Sequence, residues 1–411
     1  MKALVVGAGR MGTAAAFDLL HDEAVEEVGL VGCDAAKLRC AQDRLGKERL
    51  RIYPLGSEAP DLAEVMAGYD VGVLALPDRR SSYAAVGAAI VAGLDIVDML
   101  EEYHRHPDKS EIEGLTVPAG MTLEAYGEDL HCRARARGVT LLDGMGFAPG
   151  VSNIAVGHAL RSLDRAVSAT VRVGGIPSKE AAARHPLGYL VTWSFQHVLR
   201  EYMVKVLVRR GGSLVEVEAR SGRESFHFRD GPHDELLECA VTPGMPSLMF
   251  TRPELPNFCE KTIRWPGHYQ SIDLLESCGL LSLDPIQTAA GPLVPRTMFA
   301  DIVEPRLRPR PGDTDVCVMW NTITGERDGC PVCIEQSLWT EADVAHGFSA
   351  MARVTGFTAA IGARFLAAER IVGGPGIVAP EDGVTGDTCR AFFAELTRRG
   401  ISMHETTRSL A

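Results

Sequence analysis

The chain has 411 residues, more than one ordinary hydrophobic core holds, so about two or three domains are expected. Its composition, 46% hydrophobic, 23% charged and 6% aromatic, is that of a globular protein, and no apolar run is long enough to span a bilayer. The net charge of −12 argues against nucleic acid or an anionic membrane as a partner.

The first twelve residues carry the strongest local signal. An apolar run, 3–6, meets Gly7-x-Gly9-x-x-Gly12, and a helix-forming stretch, 13–20, follows at once. A strand, a tight turn and a helix N-terminus fit that order. Gly7 permits the turn, Gly9 permits close approach of a pyrophosphate, and Gly12 lets helix and strand pack closely. The helix start adds free N–H groups and a partial positive charge for phosphates. Arg10 and Met11, between the glycines, belong to the same dinucleotide site.

Strand-like runs follow at 27–33, 49–55, 70–76, 94–98 and 139–143, alternating with helical stretches at 35–45, 62–66, 81–92 and 123–137. Such alternation predicts a doubly wound parallel sheet, with ligands beyond the carboxyl ends of its strands. Gly7, Asp34, Leu76, Pro77, Asp98 and Asp143 fall on that rim, and Leu76 and Pro77 join the cofactor-binding set. Asp34, roughly twenty residues past the last motif glycine, suits the adenosine ribose hydroxyls or a helix N-cap, and both can hold. Gly32 precedes it, with Lys37 and Arg39 nearby, an arrangement that could also take a 2′-phosphate. NAD is favoured over NADP.

Asp98 and Asp143 each end a strand on the rim, either to orient substrate and hold a positive charge or as ordinary turn residues. Glu101 and Glu102 follow Asp98, and a group of carboxylates there suits a cationic amine. Residues 144–153 form a glycine-rich turn into a helix capped by Ser152 or Asn153.

Past Gly144 the pattern changes. Strands at 168–174, 214–219, 225–228 and 317–324, with a hairpin at 325–329 and helices at 189–208 and 272–277, predict an α+β domain with a mixed or antiparallel sheet. Tyr189, Trp193 and Ser194 stand near a helix start and could line a pocket. Residues 261–268 gather Lys261, Arg264, Trp265 and His268. An Arg reads a carboxylate bidentately and a His moves protons near neutral pH, while ion pairing at the surface is the plainer role for Lys261 and Arg264. Cys330 and Cys333 lack a second pair or spaced histidines, so no metal is expected. The stretch 348–369 is a small-residue helix that should pack back on the first domain.

At these residues the sequence resembles the saccharopine dehydrogenase-like superfamily, and within it the lysine 6-dehydrogenases. The carrying segments are residues 5–12, 143–150, 173–177, 261–268, 351–356 and 373–381, nearly the full length in the right order. The resemblance implies a Rossmann domain (1–125), an α+β domain for substrate and oligomer contacts (126–345), and a C-terminal helical segment returning to the first domain (346–411). It implies a homodimer or larger homo-oligomer, and NAD-dependent oxidation of the ε-amine of L-lysine to the semialdehyde. Two departures stand out: Gly32, where the family often has an acidic residue, and Met99-Leu-Glu-Glu102, where it often has glycines.

The expected catalytic set is therefore Asp98, Asp143 and His268, with Arg264 on the substrate carboxylate and Glu102, Lys261, Tyr189, Trp193 and Ser194 around the substrate. A saccharopine-type reductase acting on a secondary amine with NADP, and a non-catalytic nucleotide-binding protein, are the competing readings. Ten scattered cysteines beside apolar segments, and a sequence that opens on a strand without a charged and apolar leader, point to the cytoplasm.

Overall fold

A computed structural model of the protein describes residues 1–46, 48–108, 114–289 and 291–410. The N-terminal run Lys2–Val6 (β1) is buried from its second residue on and becomes the inner strand of a parallel sheet. Glu27–Val31 (β2), Leu50–Tyr53 (β3), Val71–Leu74 (β4), Ile96–Asp98 (β5) and Thr140–Leu142 (β6) join it in the order β6-β5-β4-β1-β2-β3, the doubly wound arrangement. Helices Arg10–Leu20, Ala35–Leu45, Arg79–Ala92 and Leu123–Arg137 connect the strands. The strands are short and apolar because both faces are covered.

The second sheet has nine strands. They are Arg165–Pro177 (β7), Lys205–Arg210 (β8), Ser213–Glu218 (β9), Glu224–Asp230 (β10), His233–Val241 (β11), Asn257–Arg264 (β12), and three more from the C-terminal half. A small hairpin, Ile286–Thr288 (β13) with Gly291–Leu293 (β14), stands apart. Asp315–Arg327 (β15) and Cys330–Glu341 (β16) form the long hairpin that continues the second sheet. The sheet is mixed: β7 and β12 run parallel, and the other pairs antiparallel.

Two expectations change. Residues 189–208 are not one helix. A short 3₁₀ turn, Pro186–Gly188, precedes an irregular stretch, then the helix Phe195–Glu201, and from Lys205 the backbone is strand β8. The reason is local, since Val204, Val206 and Val208 alternate with solvent-facing residues and are β-branched, which suits a pleated surface. The C-terminal segment is not helical throughout either. Helix Ala350–Ala367 packs on helix Arg10–Leu20, but Gly376–Val378 (β17) pairs in parallel with β6 as a seventh strand of the first sheet, and Met403–Ser409 (β18) pairs with β16 in the second. The first sheet thus extends through β6, past residue 125. No helix among the described residues is long and apolar enough to cross a membrane.

Candidate active site

The glycine loop is shaped by sterics. Gly7 has φ +117°, and a Cβ there would stand 2.2 Å from the carbonyl oxygen of Ala75. A Cβ on Gly12 would stand 1.8 Å from the Gly7 carbonyl oxygen, whereas Gly9 faces open space. That is a turn sealed on the protein side and open toward a ligand, and the helix that follows has no acidic residue in its first turn to compete for an anion. The residues therefore fit a dinucleotide. Asp34 caps the next helix, accepting from the backbone N–H of Ala36 at 2.9 Å and Lys37 at 3.1 Å. Gly32 has its own reason: a Cβ would meet Ala8 at 2.9 Å. Past β4, Leu76 packs on apolar neighbours and Pro77 is exposed.

Arg10 reaches across to the second domain, where its Nη1 donates to the carbonyl of Val191 at 2.7 Å. The dinucleotide loop is thereby tied to the segment carrying Tyr189, Trp193 and Ser194. Tyr189 is buried with its ring 5.3 Å from the Arg264 guanidinium carbon. Trp193 packs on His197 with ring centroids 4.8 Å apart, and Ser194 caps helix Phe195–Glu201.

Arg264 ends β12 and is buried. Its Nε donates to the Tyr202 hydroxyl at 2.8 Å and its Nη1 to the Ile263 carbonyl at 2.9 Å. Burial works against its charge, but Tyr202, Tyr269, Tyr189 and Glu201 around it keep the guanidinium charged. The Tyr202 hydroxyl also meets Nε2 of His268 at 3.0 Å, and Nδ1 of His268 meets the Leu187 carbonyl at 2.9 Å. A carbonyl only accepts, so Nδ1 carries the hydrogen and Nε2 accepts from Tyr202. Burial, then the neighbouring Arg264 charge, pushes the His268 pKa down to about 3. His268 is a neutral ring with both nitrogens engaged, so it orients Tyr202 and is badly placed to carry protons. Lys261 lies on the opposite face of β12 from Arg264, bonded to the Gly222 carbonyl at 2.7 Å and near Glu224, and does not meet the others.

On the rim of the first sheet, Asp98 and Asp143 are brought together by a residue that nothing in the sequence singles out. His104 donates its backbone N–H to Asp143 at 2.8 Å and meets the same carboxylate through Nδ1 at 2.9 Å. Its Nε2 lies 3.9 Å from Asp98. Asp98 also accepts from Ser82 Oγ and from the Leu100 N–H. Glu102 turns away from the cleft into a buried ion pair with Arg79, at 2.7 Å, and accepts from the Tyr83 hydroxyl at 2.9 Å. It is consumed internally rather than offered to a ligand. The carboxylate that faces the second domain is Glu101, which meets His197 and Glu201 of helix Phe195–Glu201. These residues are about a hundred positions apart. Only the i, i+4 spacing of His197 and Glu201 hints that two of them share a helix face. At the glycine-rich turn, Gly150 caps the helix Val151–Arg161 and Asn153 reaches back to its N–H at 3.0 Å.

Fold and loop together define a two-domain Rossmann-type protein in which Arg10 ties the glycine-rich nucleotide loop to the domain of the mixed sheet. Residues 146–401 match the family model described as the saccharopine dehydrogenase C-terminal domain. The protein belongs to the saccharopine dehydrogenase family. It is similar to an alpha-aminoadipic semialdehyde synthase of Arabidopsis thaliana, 24% identical over 159 residues, covering 36% of this protein and 15% of that one. The match therefore spans only a small part of that relative's length. The apo, histidine-tagged saccharopine dehydrogenase (L-Glu forming) of Saccharomyces cerevisiae has the same fold, with a TM-score of 0.76 at 17% identity over 99% of both proteins.

Proposed function

We propose that this protein is an NAD(P)-dependent oxidoreductase acting on a C–N bond of an amino acid, with oxidation of the ε-amine of L-lysine to the semialdehyde as its reaction and NAD as its cofactor. The contact between Arg10 and Val191 carries this reading, because it joins the nucleotide loop to the segment that lays Tyr189 against the buried, charged Arg264. A cation held in place by Tyr202 and a backbone carbonyl suits a substrate carboxylate. The carboxylates at the cleft suit an amine. Membership of the saccharopine dehydrogenase family supports the same class.

The bound dinucleotide would be held by Gly7, Gly9, Gly12 and the helix start, and it supplies the hydride acceptor. The protein's own part is positioning and exclusion of water. Arg264 fixes the carboxylate end, Tyr202 and His268 fix Arg264, and Tyr189 and Trp193 close the sides. Asp98 and Asp143 act through His104, which stands between them on the rim.

The test is NADH or NADPH formation by the purified protein with L-lysine, ornithine and saccharopine at mildly alkaline pH. Turnover of lysine with NAD is the expected result. Turnover of saccharopine alone, with NADP, would replace this reaction with that of a reductase. Tight NAD binding without oxidation of any of the three would make it a non-catalytic nucleotide-binding protein. Within this reading, Arg264→Ala raises KM for the amino acid far more than for a plain amine, and an equal rise for both removes Arg264 from the carboxylate.

A further inference from the structure

Two buried groups of carboxylates with an imidazole lie at the cleft, and they are built in opposite ways. In Asp98–His104–Asp143, each of the four carboxylate oxygens accepts from a protein donor: Ser82 Oγ, the Leu100 N–H, the His104 N–H and the His104 ring. The carboxylates of that cluster are satisfied, and only His104 Nε2 lacks a hydrogen bond among its described atoms. In the second, Glu101, Glu201 and Glu260 supply six oxygens, and among the described residues no hydrogen bond from a backbone or side-chain N–H reaches them. Ligand atoms of Glu101, His197 and Glu201 lie within 4.8 Å of one another, and burial holds both glutamate carboxyls above their usual range. His197 Nε2 lies 3.9 Å from Glu101 and 3.8 Å from Glu201.

Glu260 is 6% exposed, and its Oε2 has no partner. It shares a face of β12 with Arg264, and its charge acts on both Glu101 and Glu201. Room for it is made by Gly244, where a Cβ would stand 2.0 Å from either carboxylate oxygen. A buried carboxylate without a donor is costly, so three of them around one point mark a place where a cation belongs. The opposite charge is next to it. Glu201 directly precedes Tyr202, whose hydroxyl holds Arg264 Nε, and Arg264 Nη2 makes no hydrogen bond among the described residues. The Glu101 side chain, 13% exposed, is the open side of the group.

We infer that Arg264 and the Glu101–Glu201 pair clamp the head group of an α-amino acid, the carboxylate on Arg264 Nη2 and the α-ammonium between the two glutamates. The ammonium supplies the three donors these carboxylates lack. Glu260, on the same face of β12 as Arg264 and with its Oε2 unpartnered, offers a further acceptor beside the pair. With its head group held between Glu101 of the first domain and Glu201 and Arg264 of the second, the substrate presents for oxidation the C–N bond remote from its α-carbon. The inference rests on the amino-acid reading proposed above and names the residues that select for it.

The test is calorimetric binding of L-lysine, 6-aminohexanoate and pentane-1,5-diamine to the purified full-length protein. The second lacks the α-ammonium and the third lacks the carboxylate. Lysine should bind at least about tenfold tighter than either, the scale of a charge-assisted contact. Glu201→Gln should erase the preference for lysine over 6-aminohexanoate. Glu101→Gln is the second variant, should the first fail to fold. Equal binding of lysine and 6-aminohexanoate by the wild type, no binding of any of the three, or a preference that survives both substitutions would overturn the clamp. Failure of the reaction reading looks different: a lysine preference without NADH formation leaves the clamp standing, and turnover without the preference removes it.

Discussion

His104 is held between two acidic groups and has no contact with solvent. Burial alone would discharge its ring, but the Asp143 carboxylate, with Asp98 and Glu102 beyond, outweighs burial and pushes the pKa up to about 9. A histidine whose folded value exceeds its unfolded value of about 6.5 contributes stability that is present below that value and lost as pH rises through the folded one. The wild type should therefore lose stability between about pH 6.5 and 9, by on the order of 3 kcal/mol at most. A His104→Asn variant should show a flatter profile over the same window in denaturant unfolding. Arg79 makes the complementary case. Its removal leaves Glu102 buried with only Tyr83 as a donor among the described residues, so Arg79→Met should cost about 3–5 kcal/mol. The double change Arg79→Met with Glu102→Leu should recover much of that loss, and a double variant no more stable than the single one would refute the ion-pair account.

The glycine loop separates fold from function at the scale of one element. Gly12 cannot accept a side chain without moving the Gly7 carbonyl, whereas Gly9 has nothing within 4 Å. Gly9→Val should leave the melting temperature within a few degrees of the wild type while weakening NAD binding by at least about tenfold, since its only cost is to the ligand. Gly12→Val should lose both. Elements of this kind are legible in the sequence because their signal is local: strand, glycine spacing and helix stand within the first twenty residues. The alternation of strands and helices up to Asp143 is legible for the same reason, and Arg264 can be singled out by its neighbours in sequence. The Glu101–His197–Glu201 group is not legible, because its members meet only after two domains pack. Glu102 reads as a cleft carboxylate because nothing near it in sequence announces Arg79. Strand β8 reads as helix because apolar residues at 204, 206 and 208 extend a helical run just before them, and β17 is too short to carry a pattern.

Across the whole molecule, the C-terminal helix Ala350–Ala367 is the back wall of the nucleotide loop. A Cβ on Gly356 would stand 2.7 Å from the Met11 carbonyl oxygen and 2.7 Å from the Ala14 side chain. Gly356→Val should therefore push the two helices apart, costing about 1–3 kcal/mol of stability and weakening dinucleotide binding. Thermal unfolding with and without NAD measures both. Unchanged NAD affinity would show that the loop holds its shape without that wall. Further ties run the same way: Arg399 pairs with Asp18, and Arg364 with Asp22 and Glu395, joining the first helix to the last ones.

Strand β17 has a temporal side. During synthesis the six strands of the first sheet leave the ribosome by Leu142, but the strand that covers the edge of β6 follows more than two hundred residues later. Until then β6 presents an unpaired apolar edge, the kind that recruits other polypeptides. The nascent first domain must wait half-closed until Gly376–Val378 is made, so its completion, and that of the site built on it, comes late in synthesis rather than early.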